Sequence, residues 1–424
     1  MCVDMSQTDC DAGRLSGKLE AESSDGQSAP VRRRRGQLLV CRVAVGLAIA
    51  AGLVLAVREM LLRNDEDTVC QRALEARDWE RLHQSARRWL DRSPRNGDAW
   101  MYLALAAENR GDMDWAATAF SRVPDSHPRV ADALHKHLAL TSGPMNRPLE
   151  AAETLERLLV VDPQNPEVHR RAIAFFAQTF QHARLMEQIR SSIRLKCEPP
   201  EAYVYLAGAD GDRVPEGAHF HDKWVKTYPD CPLFAVAQTL TSVCRHHSEQ
   251  HSEARGAPLH GVDSGTVPRP EAILNRFPDN SELLALFIER SIAAGDVRDV
   301  GRLMDRAPRR TRDDDRFWRY AAWHYAAINE PGEAEAACRH ALELQPMSWK
   351  SRRLQAALLR SAGRAEEAAT HQRLADEGEA IDALVTQIEV SSDPSPDLLS
   401  RIAAYASACD DHLVARGIER HRNP

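Results

Sequence analysis

A spacing of 34 residues constrains the fold of this 424-residue chain more than any other feature. With Asn280 as position 0, Leu284, Phe287, Ile288, Gly295, Val300, Met304 and Ala307 stand at positions 4, 7, 8, 15, 20, 24 and 27. One step on, the same positions hold Trp318, Ala321, Ala322, Asn329, Ala334, Cys338 and Ala341, with Pro346 at 32. A second step gives Arg352, Gln355, Ala356, Gly363, Ala368, Gln372 and Ala375, still in frame. An earlier set repeats the pattern with Trp100, Leu103, Ala104, Ala107, Gly111, Ala116, Phe120, Val123 and Pro128. Its upstream neighbour keeps Leu82, Trp89 and Pro94. Downstream, Leu138, Ala139, Ala151, Leu155, Leu158 and Pro163 form a unit with a stretched turn.

Each period has room for two antiparallel helices. Small residues at 8 and 20 let the two backbones approach, and larger ones at 4, 7 and 24 fill the space between them. Gly or Asn at 15 takes the left-handed conformation that ends the first helix. Proline at 32 ends the second. One such pair cannot bury its apolar face alone, so pairs stack. These residues resemble the consensus of the tetratricopeptide repeat (TPR) family over most of residues 64–422. The resemblance implies an all-α, right-handed α-solenoid that binds protein or peptide partners and has no cofactor. Composition agrees, since Ala, Leu, Arg and Glu dominate and aromatics are 6%, a balance that favours helix.

The N-terminal part reads differently. Residues 1–37 are polar and aperiodic, and end on the block Arg32, Arg33, Arg34 and Arg35. Residues 38–57 are apolar apart from Arg42. At about 1.5 Å per residue they span a hydrocarbon core of about 30 Å. Arg42 is near enough to the end to reach the interface. The arginine block predicts a single-pass anchor with the N-terminus cytoplasmic and the repeats on the other side of the membrane. A cleaved signal peptide, with Ala48-Ile49-Ala50 as its small-x-small site, is the competing reading.

Charge argues against a nucleic-acid partner. Lys and Arg number 55 and Asp and Glu 62, for a net of −7, whereas a nucleic-acid binder needs a basic footprint. The nine cysteines include no CxxC pair, so thioredoxin-like and zinc-knuckle spacings are absent. No phosphate-binding glycine loop, dinucleotide fingerprint or nucleophile elbow occurs. We therefore expect a non-enzymatic scaffold, with envelope protein assembly or secretion as its setting.

The sequence divides into repeats over 64–244, a His/Gly/Pro-rich loop over 245–269, and further repeats with capping helices over 270–424. A glycine-rich break, Gly208 to Gly217, interrupts the first array. The segment Cys244-Arg245-His246-His247-Ser248-Glu249-Gln250-His251 has metal-ligand side chains. It lacks the order of a zinc-protease motif and reads as a solvated loop, with metal handling as the alternative function. In TPR arrays positions 2, 5, 9 and 12 of the first helix line the concave face. Here those positions bring up Arg316, Arg319, Trp323, Lys350, Arg353 and Arg360 as candidate partner-binding residues. Such a basic face suits an acidic peptide or a terminal carboxylate. Trp323 stands where the carboxylate-binding members of the family carry Asn.

Overall fold

The computed structural model describes residues 66–211, 217–253, 269–386, 388 and 394–422. They are helical, with no strand among the described residues. The helices are α1 (residues 66–75), α2 (Trp79–Arg92), α3 (Gly97–Asn109), α4 (Met113–Ser121), α5 (Val130–Ser142), α6 (Pro148–Val161), α7 (Pro166–Gln178) and α8 (His182–Leu195). Next come α9 (Ala202–Ala207), α10 (His221–Thr227), α11 (Pro232–Glu253) and α12 (Pro270–Arg276). The last are α13 (Ser281–Ala293), α14 (Val297–Met304), α15 (Asp315–Ala327), α16 (Pro331–Leu344), α17 (Trp349–Ser361), α18 (Ala365–Val385), α19 (Pro396–Ala408) and α20 (His412–Arg422).

The 34-residue frame is visible in the backbone. Helices α13, α15 and α17 are each 13 residues long. Their caps, Asn280, Asp314 and Ser348, each accept a backbone N–H from the first turn, as short polar side chains do at an N-terminus. The hinges Gly295, Asn329 and Gly363 have φ of 71°, 65° and 77°. A Cβ at Gly295 or Gly363 would meet nothing within 4 Å. Those glycines therefore serve the left-handed turn and not close packing.

Position 4 does more than fill space. Trp100 Nε1 donates to Pro94 O at 2.9 Å and Trp318 Nε1 to Arg312 O at 2.8 Å. His169 Nε2 donates to Pro163 O at 2.8 Å and Arg352 Nε to Pro346 O at 3.0 Å. In these four units an N–H six residues downstream satisfies a carbonyl that the preceding turn leaves open. This explains how Arg352, a charged residue, holds a core position.

The arrays do not stack as one open row. The described residues from Cys70 onward form one compact unit, because the final pair packs back onto the middle of the chain. A single core joins Ile189 and Ile193 of α8, Tyr203 and Leu206 of α9, Ile381 and Val385 of α18, and Ile402, Val414 and Ile418 of the last pair. Arg190 meets Asp411 at 2.8 Å, and Arg420 meets Glu198 at 3.0 Å. Gly417 allows the approach, since a Cβ there would fall 2.3 Å from the Tyr203 hydroxyl.

One boundary differs from the sequence reading. The expected loop over 245–269 is helical up to Glu253, because α11 continues through it. Ser, His, Glu and Gln tolerate helix, and the first breaker is Gly256. Residues 254–268 lie outside the described residues, as do the tail 1–37 and the apolar segment 38–57. Among the described residues no helix is long and apolar enough to cross a membrane.

Candidate partner-binding site

A cavity of about 450 Å³ opens over the first helices of the C-terminal repeats. Its walls are apolar. Phe180 and Leu185 come from the α7–α8 corner, Val204 from α9, Leu240 and Val243 from α11, and Leu286 from α13. Its floor is charged and contains three of the six predicted residues, Arg316, Arg319 and Lys350.

These cations are already paired. Arg316 Nη2 lies 2.8 Å from Glu282 Oε2 and 2.7 Å from Asp314 Oδ2. Arg319 reaches Asp210 Oδ1 at 3.1 Å and Glu289 Oε1 at 2.7 Å. Lys350 Nζ is 3.5 Å from Glu289 Oε2. The Tyr320 hydroxyl donates to Glu289 Oε1 at 3.0 Å. Asp210 is held at a helix start as well, accepting from the Ser348 hydroxyl at 2.9 Å and the Lys350 backbone N–H at 3.1 Å, a favourable place for an anion.

The ionisation of the floor follows from these pairs. Burial by itself pushes the Glu289 carboxyl up, but Lys350 and Arg319 overcome it and hold it down at about 2. Glu289 keeps 38% of its side-chain surface, so solvent weakens the pairing. Burial also raises Asp314, and Arg316 outweighs it to leave that carboxyl low. At Glu282 burial wins and the carboxyl lies above its ordinary value despite Arg316.

The other three predicted residues lie elsewhere. Trp323 packs partly buried against the core that holds Leu284, Ile288 and Tyr320. Arg353 lies over the Trp349 ring, 4.8 Å from its centroid, and pairs with Glu379 at 2.6 Å. Arg360 is exposed and donates to Gln372 Oε1 at 3.3 Å. Glu282 and Glu289 occupy positions 2 and 9 of the preceding repeat, so the 34-residue frame could have found them. His182 stands at position 17, the start of a second helix, as Met113, Val297, Pro331 and Ala365 do, and Asp210 lies in the glycine-rich break, outside any repeat position.

No protein-family model matches the chain, and no curated protein matches it. Solved structures do match it. A tetratricopeptide repeat protein from Parabacteroides merdae is 9% identical, with 76% of this chain and 97% of that one covered and a TM-score of 0.25. Yeast Tom70 is 11% identical over 84% of this chain and 87% of its own, at 0.25. PilW, a type IV pilus biogenesis factor, is 12% identical over 69% and 96%, at 0.19. The tetratricopeptide-like character of this chain rests on the repeat geometry described above.

Proposed function

We propose that the chain is a non-enzymatic, membrane-anchored scaffold that binds a protein or peptide partner through the C-terminal repeats. One observation carries this reading: successive first helices of the repeats line a single cavity, with apolar walls above a floor of paired charge. A partner gains affinity by burying apolar side chains against such walls. Acidic residues on the partner have Arg353 and Arg360 at hand outside the cavity, where both cations keep solvent access. The anchor reading rests on the apolar run 38–57 behind four arginines, which orients the repeats outside the cytoplasm. Envelope protein assembly or secretion is the setting that this topology suits.

The test places a photocrosslinking residue at Leu286, on the cavity wall, or at Val160, on the N-terminal array and 79% exposed. Membranes of the native host are irradiated with each full-length variant. We expect a discrete adduct from position 286 that Arg353→Glu with Arg360→Glu weakens, and none from position 160. Adducts from position 160 alone would move the binding face to the other array. Deleting residues 38–57 should release the chain from membranes, and retention would count against the anchor.

A further inference from the structure

Charge does not balance where the two arrays meet. The ion-pair network that includes the floor holds five carboxylates, Asp210, Glu282, Glu289, Asp314 and Asp315, against three cations, Arg316, Arg319 and Lys350. With every carboxylate ionised and His182 neutral the excess would be two negative charges, and the burial that raises Glu282 lessens it. Buried charge without a partner is costly. The N-terminus of α15 offsets only about half a charge.

The excess has a centre. His182, Asp314 and Asp315 each bring a ligand atom within 4.8 Å of the others. His182 Nε2 lies 3.0 Å from Asp315 Oδ1. The other oxygen, Asp315 Oδ2, is buried and has no hydrogen-bond partner among the described residues, on a residue only 4% exposed. Asp314 Oδ1 accepts from Arg316 N and Nε, while Oδ2 accepts from Nη2 alone. A carboxylate oxygen with one donor keeps a free lone pair. Asp314 and Asp315 also line a second cavity of about 850 Å³, together with Asp313 and with Arg184, Arg190, Arg194 and Arg310.

We propose that His182, Asp314 and Asp315 bind one divalent first-row transition-metal ion, which clamps the start of α8 to the start of α15. The imidazole coordinates through Nε2, and its remaining ring proton sits on Nδ1. One oxygen from each aspartate and solvent complete the shell. One imidazole and two carboxylates suit Zn²⁺ or Mn²⁺. Metal–ligand distances of about 2.1 Å require the ligand atoms to close to about 3.4 Å, a movement of side chains. Arg316 stays outside the shell, orienting Asp314 as outer partners of metal-bound carboxylates do. The ion would offset the excess negative charge and join residues 133 apart in sequence.

The test uses the metal-stripped, detergent-solubilised full chain. Calorimetric titration with Zn²⁺ or Mn²⁺ should show one saturable equivalent. At a hundredfold excess over Kd the melting temperature should rise by about 4 °C. Asp315→Asn and His182→Gln should each lose tenfold or more in affinity and the thermal shift, while their helical circular dichroism persists. The His247→Ala, His251→Ala double variant should keep both. Equal binding by wild type and the first two variants, loss of binding in the histidine double variant, or no saturable binding overturns the assignment. Should the aspartate variant fail to fold, the Co²⁺-loaded wild type decides: d–d bands without a thiolate charge-transfer band are expected, and a thiolate band overturns it.

Discussion

The two arrays use one repeat plan and handle charge in opposite ways. In the N-terminal array an apolar core runs from Cys70 to Phe176, and the polar side chains buried with it, Ser85, His137, Thr141, Thr154 and His169, include no carboxylate, lysine or arginine. Its ion pairs lie on the outside, as in Arg184–Glu156 at 2.6 Å with both side chains about half exposed. In the C-terminal array the apolar clusters are smaller, and the face of the first helices is built from buried or half-buried ion pairs. Position 24 shows the contrast within a single slot. It holds Phe120 in the first array, and Met304, Cys338 and Gln372 in the second. A repeat built only to stand needs no charge on its inner face. The two inner faces therefore differ in how much paired charge they carry.

Several substitutions sharpen or break that contrast. The largest effect should come from Phe120→Ala, which empties a fully buried site and should cost roughly 3–5 kcal/mol in urea unfolding. Cys338→Ala at the equivalent slot should cost roughly 1 kcal/mol. Equal costs would mean that the two cores are equally dependent on apolar packing. Next comes Arg319→Met, which takes the guanidinium partner from Asp210 and Glu289 and should cost roughly 3 kcal/mol. Adding Glu289→Gln should recover part of the loss.

Acid should separate the arrays. Burial, with help from Arg157 and Arg147, holds His137 down at about 4, and Thr154 Oγ1 contacts its Nδ1 at 2.6 Å. The unfolded chain takes up that proton near pH 6.5, so the stability held by neutral His137 is complete above 6.5 and drains away as pH falls toward 4. By pH 5 the loss should be roughly 1–2 kcal/mol, and His137→Gln should flatten this part of the profile. Glu289 acts lower: its contribution is present above its ordinary 4.5 and is lost as pH falls toward 2. Glu282, raised by burial, has the opposite sign. It favours the fold in acid, and that contribution is lost as pH rises. A profile with no loss between pH 6.5 and 4.5 would contradict the buried neutral state of His137. The smallest effect belongs to Arg184→Ala, expected below about 1 kcal/mol because the pair is exposed.

The repeat plan was legible because it is local. Caps at Asn280, Asp314 and Ser348 and hinges at Gly295, Asn329 and Gly363 act through neighbours in sequence. The role of Arg352 at position 4 was half legible, since the frame placed it but not its bond to Pro346 O. The return of α20 onto α8 was not legible, because contacts such as Arg190–Asp411 join residues 221 apart and have no period. The site divided in the same way. Arg316, Arg319 and Lys350 came from the frame, and Glu282 and Glu289 could have. Asp210 and His182 come from a glycine-rich break and a helix start in the other array, and nothing local marks them as neighbours of α15.

The most direct test of this account is a double-mutant cycle between Asp210→Asn and Arg319→Met, which are 109 residues apart. It asks whether the break after α9 is bonded to the face of α15. The account predicts a coupling of roughly 1–3 kcal/mol in urea unfolding. Additive costs, with a coupling within about 0.3 kcal/mol of zero, would show that the two arrays do not share this floor.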